Sequence, residues 1–145
     1  MRELPRQLSV EQLSELFEGR TRFVERLAAL EQPLEAATGL IRSVPEGELV
    51  EALAAHPAIG AKRLSDRSAR EQGPDEDPAV ETELAYLNQV YEEKFGFRFV
   101  VFVNRRPRAQ ILELLRERLQ RTREEELVTA MGELVAIARD RWQNP

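Results

Sequence analysis

Apolar residues recur along this chain at the spacing of a single helix face. Leu127, Met131, Leu134, Ala138 and Trp142 step by fours and threes, and so do Val80, Leu84, Leu87, Tyr91 and Phe95. Residues three and four apart share one side of an α-helix, so each set forms a stripe that has to be buried against another element. Both are read as core stripes, not as cofactor boxes. Helix-start patterns stand where the periodicity begins. Ser9-Val10-Glu11-Gln12 and Thr122-Arg123-Glu124-Glu125 have the form of capping boxes, and Ser43-Val44-Pro45-Glu46 adds a proline at the first helical position. The predicted helices cover about 9–18, 21–30, 34–43, 45–55, 57–64, 76–95, 107–121 and 123–142. The expected fold is therefore all-α: a bundle of about eight helices forming one domain over residues 1–145.

Composition narrows the chemistry. A chain of 145 residues buries about 68–70% of the surface its unfolded form exposes, which is enough for a core without staples. It has no cysteine and one histidine, His56, so thiol nucleophiles, disulfides, iron–sulfur clusters and the usual zinc sites have no ligands here. The expectation from composition is no metal site of these kinds. With 21 Lys+Arg against 26 Asp+Glu the net charge is −5, which argues against nucleic acid as a partner. The arginines at 105, 106, 108, 116, 118, 121 and 123 alternate with Glu113, Glu117, Glu124 and Glu125 and are read as a solvated helix face. No apolar run reaches the ~20 residues of a membrane span. Met1–Arg6 lacks the apolar centre of a secretion signal, and the last residues form no recognised targeting tail, so a cytoplasmic location is expected.

One segment departs from helical periodicity. Phe97-Arg98-Phe99-Val100-Val101-Phe102-Val103 is an unbroken aromatic and β-branched run, which favours extended backbone, yet nothing else in the chain resembles a partner strand. Buried among helices, its N–H and C=O groups need partners from side chains, water, a second subunit or a ligand. It is either a buried connector satisfied by neighbouring loops or a backbone that binds a small polar ligand. Gln72–Pro78, with two prolines, a glycine and three acids, reads as a surface turn.

Three sets of polar residues are candidates for chemistry. His56 precedes Pro57; the proline disfavours helical geometry at His56 and can open the next helix, which holds an imidazole at a break between rigid elements. It is also the side chain that titrates nearest neutrality, although a lone histidine at a helix end equally serves as a cap or surface residue. Ser68, Glu71 and Gln72 stand at i, i+3 and i+4, one helix face if that stretch is helical, and such a face is either a polar pocket wall or plain solvent surface. Arg141 continues the apolar series Leu134, Ile137, Ala138, where a guanidinium snorkels, complements a helix C-terminus or meets an anion. No Gly-x-Ser-x-Gly elbow and no glycine-rich phosphate loop occurs.

The ordered set of motifs resembles the 2-oxo-4-hydroxy-4-carboxy-5-ureidoimidazoline (OHCU) decarboxylase family. The matching pieces are Ala55-His56-Pro57-Ala58-Ile59-Gly60, Ser68-Ala69-Arg70-Glu71-Gln72, Leu87 through Val100, Glu117-Arg118-Leu119 and Ile137-Ala138-Arg139-Asp140-Arg141. Between Gly60 and Ser68 the chain is shorter than in animal members. The resemblance implies a cofactor-free lyase of uric acid degradation that yields (S)-allantoin and carbon dioxide, commonly as a homodimer. Carried over residue by residue, it implies that His56 and Glu71 are catalytic. It implies substrate contacts from Pro57, Ser68, Gln72, the backbone of Phe99, Val100, Val101, Phe102 and Val103, Ile111 and Arg141. The alternative is a helical small-molecule-binding or protein-interaction module that keeps the pocket without catalysis.

Overall fold

The computed structural model describes residues 2–59 and 77–145. Among the described residues there are seven helices and no strand: α1 (Val10–Phe17), α2 (Arg22–Ala28), α3 (Pro33–Ile41), α4 (Glu46–Ala55), α5 (Pro78–Phe95), α6 (Arg108–Arg118) and α7 (Arg123–Gln143). The all-α expectation holds. The helix expected at 57–64 does not open at Pro57, because Pro57–Ile59 are not helical; the remainder of that segment lies outside the described residues.

Two of the expected capping boxes form. Ser9 Oγ accepts from the Gln12 N–H while Gln12 Oε1 accepts from the Ser9 N–H, and Thr122 and Glu125 make the same reciprocal pair at the start of α7. The third does not. Ser43 turns its hydroxyl back to donate to the Leu40 carbonyl at the end of α3, and Pro45 is an extended N-cap with no side-chain bond, so α4 begins at Glu46. Only three residues separate Ile41 from Pro45, and the orphan carbonyls of the α3 terminus take the hydroxyl first.

The longest helix organises the rest. At 1.5 Å per residue α7 spans about 30 Å, and α1, α3 and α4 all lie against it while α2 packs on the same three helices. The buried faces meet in one core that includes Leu13, Phe17, Phe23, Leu27, Leu34 and Leu53 together with Met131 and Leu134 of α7. Both sequence stripes face inward: Leu84, Tyr91 and Phe95 are buried on α5 with Val80 and Leu87 half-buried, and Leu127, Met131, Leu134 and Ala138 are buried on α7 with Trp142 half-buried. The Trp142 indole N–H donates to the Glu3 carbonyl, and Arg2 stacks over its ring, fastening the N-terminal residues to the end of α7.

Helices α5 and α6 pack on each other and join the bundle through charge as well as apolar contact. Arg118 on α6 is buried. Its Nε donates to Glu126 Oε1 at 2.7 Å, its Nη1 donates to the Val100 carbonyl at 2.7 Å, and its guanidinium lies 4.6 Å from the Phe99 ring centroid. Glu126, fully buried on α7, also accepts from Tyr91 at 2.6 Å and from Arg121 at 2.9 Å. Burial and the neighbouring carboxylate push the pKa of the Tyr91 hydroxyl well above its ordinary value. Arg118 is thus not part of a solvated face. A sequence pattern does not separate an arginine over a buried carboxylate from one in water, because both alternate with glutamates.

The Phe97–Val103 segment is neither helix nor strand and is largely buried, and apart from the Arg106 N–H on the Val103 carbonyl its hydrogen bonds go to side chains. Gly96, at φ 80°, ends α5 in the left-handed conformation that suits glycine. Val100 is held by Arg118, the Phe102 N–H donates to Glu133, and Arg106 folds back to donate from Nη2 to the Phe102 carbonyl and from Nε to that of Val103. Removing Glu126 leaves Arg118 with an uncompensated buried charge, which costs about 3–5 kcal/mol. Glu126→Leu should lower the urea-unfolding free energy by that amount, and an unchanged midpoint would show that the cluster does not hold α5 and α6 to α7.

Candidate active site

The ends of three helices converge. Helix α1 stops at Phe17, and Glu18 caps it in the left-handed region at φ 63°, ψ 25°, a conformation costing a non-glycine residue about 1 kcal/mol or more. Gly19 follows, and a Cβ there would come within 3.0 Å of Ala55 Cβ. The glycine lets the end of α1 lie directly against the end of α4. Helix α4 stops at Ala55, and His56 is extended at φ −83°, ψ 135°, as expected of a residue before proline. Helix α7 supplies Arg141 from its last turn.

The guanidinium of Arg141 is fully buried and reaches across to the α1 terminus. Its Nη1 donates to the Leu16 carbonyl at 3.0 Å, and its Nη2 lies 3.2 Å from Glu18 Oε1. A helix C-terminus presents unsatisfied carbonyls, so α1 offers this cation both a carbonyl and a carboxylate. Snorkelling to solvent, one of the alternatives left open for Arg141, does not occur.

His56 is buried as well. Its backbone carbonyl accepts from Arg98 Nη1 at 2.5 Å, and the same nitrogen donates to the Ala54 carbonyl at 3.2 Å, so the start of the Phe97–Val103 segment is tied to the end of α4. Among the described residues the imidazole Nδ1 has no hydrogen-bond partner, and the same is true of both amide atoms of the buried Asn88 on α5. Burial first, and then the positive charge of Arg141, push the His56 pKa down from 6.5 to about 4, with Glu18 acting in the opposite direction. At neutral pH this imidazole is uncharged and able to accept a proton. Of the roles open to it, surface residue is removed by its burial.

His56 and Arg141 are therefore brought together, Pro57 follows His56 directly, and Phe99–Val103 is connected to them through Arg98. Ile111 is fully buried in the α6 face of the core. Ser68, Glu71 and Gln72 lie outside the described residues. Sequence reasoning missed Glu18, which it read as the last residue of a helix over 9–18. A glutamate before a glycine at a helix end carries no special signal, and glycine would ordinarily take the left-handed position; here Gly19 is committed to the contact with Ala55. Arg98 stood within a quoted motif without a role. No group of three or more His, Cys, Asp or Glu among the described residues is placed to hold a metal ion, and no helix among them is long and apolar enough to cross a membrane.

The described part of the site is a buried, neutral imidazole close enough to a carboxylate-paired arginine to feel its charge, set within an all-helical bundle. The fold is similar to that of a crystal structure of OHCU decarboxylase in the presence of (S)-allantoin, with a TM-score of 0.74 and 24% identity over 90% of this chain and 94% of that one. The uric acid degradation bifunctional protein of Bacillus subtilis (strain 168) is 30% identical over 97% of this chain, which spans 31% of that relative. The 2-oxo-4-hydroxy-4-carboxy-5-ureidoimidazoline decarboxylase of Halalkalicoccus jeotgali is 31% identical over 74% of this chain and 68% of its own length. The family model described as OHCU decarboxylase matches residues 2–143. The chain belongs to the OHCU decarboxylase family, a family of carboxy-lyases of uric acid degradation.

The depressed histidine pKa has a stability consequence. As pH falls from 6.5 towards 4 the unfolded chain binds a proton at His56 that the folded chain does not, so stability present above pH 6.5 is lost over that window. At 1.36 kcal/mol per pKa unit, urea unfolding at pH 7.5 and pH 4.5 should show the parent losing about 2–3 kcal/mol more than His56→Gln. Equal losses would mean that the imidazole is not desolvated as described.

Proposed function

We propose that this chain catalyses the cofactor-independent decarboxylation of 2-oxo-4-hydroxy-4-carboxy-5-ureidoimidazoline to (S)-allantoin and carbon dioxide, with His56 as the acid–base group. The observation that carries the reading is the buried, uncharged His56 beside Arg141 in a chain whose family match runs from residue 2 to 143.

The substrate's own structure explains why one imidazole can suffice. Loss of the carboxylate as carbon dioxide leaves an electron pair that moves into the adjoining carbon–nitrogen double bond of the ring, so the electron sink comes with the substrate. The ring nitrogen that receives the pair takes a proton from solvent, and the resulting enol must then lose its hydroxyl proton to become a carbonyl and gain a proton at the neighbouring carbon, on one face only. A neutral imidazole can do both in turn, accepting the first proton and delivering the second. Its fixed position between α4 and Pro57 sets the face.

Arg141 binds and orients. A guanidinium clamped on the departing carboxylate would stabilise the ground state more than the transition state, in which that charge is leaving, so its contribution belongs to KM. In this reading Glu71 orients His56 or the substrate hydroxyl. Ser68, Gln72 and the backbone of Phe99–Val103 take the ureido and ring amide groups, and Pro57 and Ile111 line the apolar side. The family resemblance further supports a homodimer working in the cytoplasm.

His56→Ala should lower kcat by ~10²–10⁴, the range for a lost acid–base group, while Arg141→Lys should act mainly by raising KM. Circular dichroism of allantoin formed from freshly generated substrate reads both rate and handedness. A single enantiomer is expected from the parent protein. A racemate formed at the uncatalysed rate, or normal turnover by His56→Ala, would overturn the proposal, the racemate in favour of a non-catalytic binding module.

A further inference from the structure

We propose that Glu18 is a positioning residue for the decarboxylation: it fixes the Arg141 guanidinium on the α1 terminus and offsets its charge, so that the substrate carboxylate is held without being over-stabilised. This inference rests on the decarboxylase reading of the site and deepens it.

Three observations converge on Glu18. The first is its backbone: it occupies the left-handed conformation at φ 63°, where glycine is the ordinary choice, while the glycine next in sequence is used elsewhere. Strain of this kind persists where surrounding structure enforces it and is concentrated at functional sites. The second is its contact: the carboxylate lies 3.2 Å from Arg141 Nη2, and the guanidinium is also bound by the Leu16 carbonyl two residues earlier, so the α1 terminus grips the cation from two directions. The third is its place. Gly19 against Ala55 puts this pair beside the end of α4, where His56 stands.

The chemistry explains why a carboxylate belongs there. An unbalanced buried guanidinium would bind an anionic substrate tightly and raise the barrier to losing its carboxylate. It would also hold the imidazole further from the protonated form that it must pass through. Among the described residues three charged groups act on His56 from the elements around it: Arg141 from α7, Glu18 from the end of α1 and Arg98 from the Phe97–Val103 segment. Glu18 is the anion among them.

Glu18→Gln keeps the shape and removes the charge. It should lower kcat at least ~10-fold with KM unchanged or lower, the pattern of a ground state bound more tightly than the transition state. A purely structural defect would raise KM or reduce the folded fraction. Glu18→Gly, which lacks the carboxylate but suits the left-handed backbone, should show the same kcat–KM split and guards against a misfolded glutamine variant. Because His56 is the single histidine in the chain, its titration can be followed by NMR without ambiguity and without substrate. Both variants should move the midpoint downward by roughly 0.5 unit or more, as expected when an opposite charge that acts on the imidazole is removed. Unchanged kcat, a KM that rises with the loss of kcat, or an unmoved His56 midpoint would each overturn the inference. If the parent protein itself gives no stereoselective allantoin, it is the decarboxylase reading that fails, and the titration still decides whether Glu18 is coupled to the His56–Arg141 pair.

Discussion

Non-helical chain buried among helices has no neighbouring strand to satisfy it, and an unpaired buried peptide group is costly. Phe97–Val103 meets this constraint by recruiting side chains, chiefly guanidinium donors: Arg118 to Val100, and Arg106 to Phe102 and Val103. The buried guanidinium of Arg118 must then be compensated, which is why Glu126 is fully buried on α7 and bound by Arg118, Arg121 and Tyr91 together. The hydrogen-bonding needs of one short segment thereby join α5 and α6 to the long helix. They also hold the segment in place, and the same segment reaches the histidine through Arg98.

The same physics operates at the candidate active site with a different outcome. There a buried guanidinium lies beside an imidazole, and the low-dielectric surroundings that strengthen the Glu18–Arg141 pair also keep His56 uncharged. A neutral base next to a partly compensated cation suits a reaction that begins with an anion and ends with a neutral gas leaving. Both groups sit at helix ends, where free carbonyls and breaks in helical geometry allow side chains from α1, α4 and α7 to approach one another.

Much of this was legible in the chain. The stripes on α5 and α7 face the core because a period of three and four leaves them no other arrangement, and the Ser9 and Thr122 boxes are local enough to form wherever the helix forms. His56 ends α4 because a proline follows it. Ser43 failed as a cap because a nearer acceptor, at the end of α3, took its hydroxyl. Arg118 was misread because alternation with glutamate describes a solvated surface and a buried ion pair equally well. Glu18 was invisible, since nothing in Phe17-Glu18-Gly19 distinguishes a strained residue facing another helix from an ordinary helix end.

Short-range information therefore determined the class of fold, most helix starts, the backbone break at His56 and the chemistry excluded by having no cysteine and a single histidine. These depend on dihedral preferences and on neighbours within a turn or two. Which charges are desolvated, and which carboxylate each arginine meets, was decided only when helices distant in sequence came together. Arg141 and Leu16 are 125 residues apart, and the field at His56 is a sum over groups on separate elements. Electrostatic energy depends on distance and burial in three dimensions, and neither exists until the chain has packed.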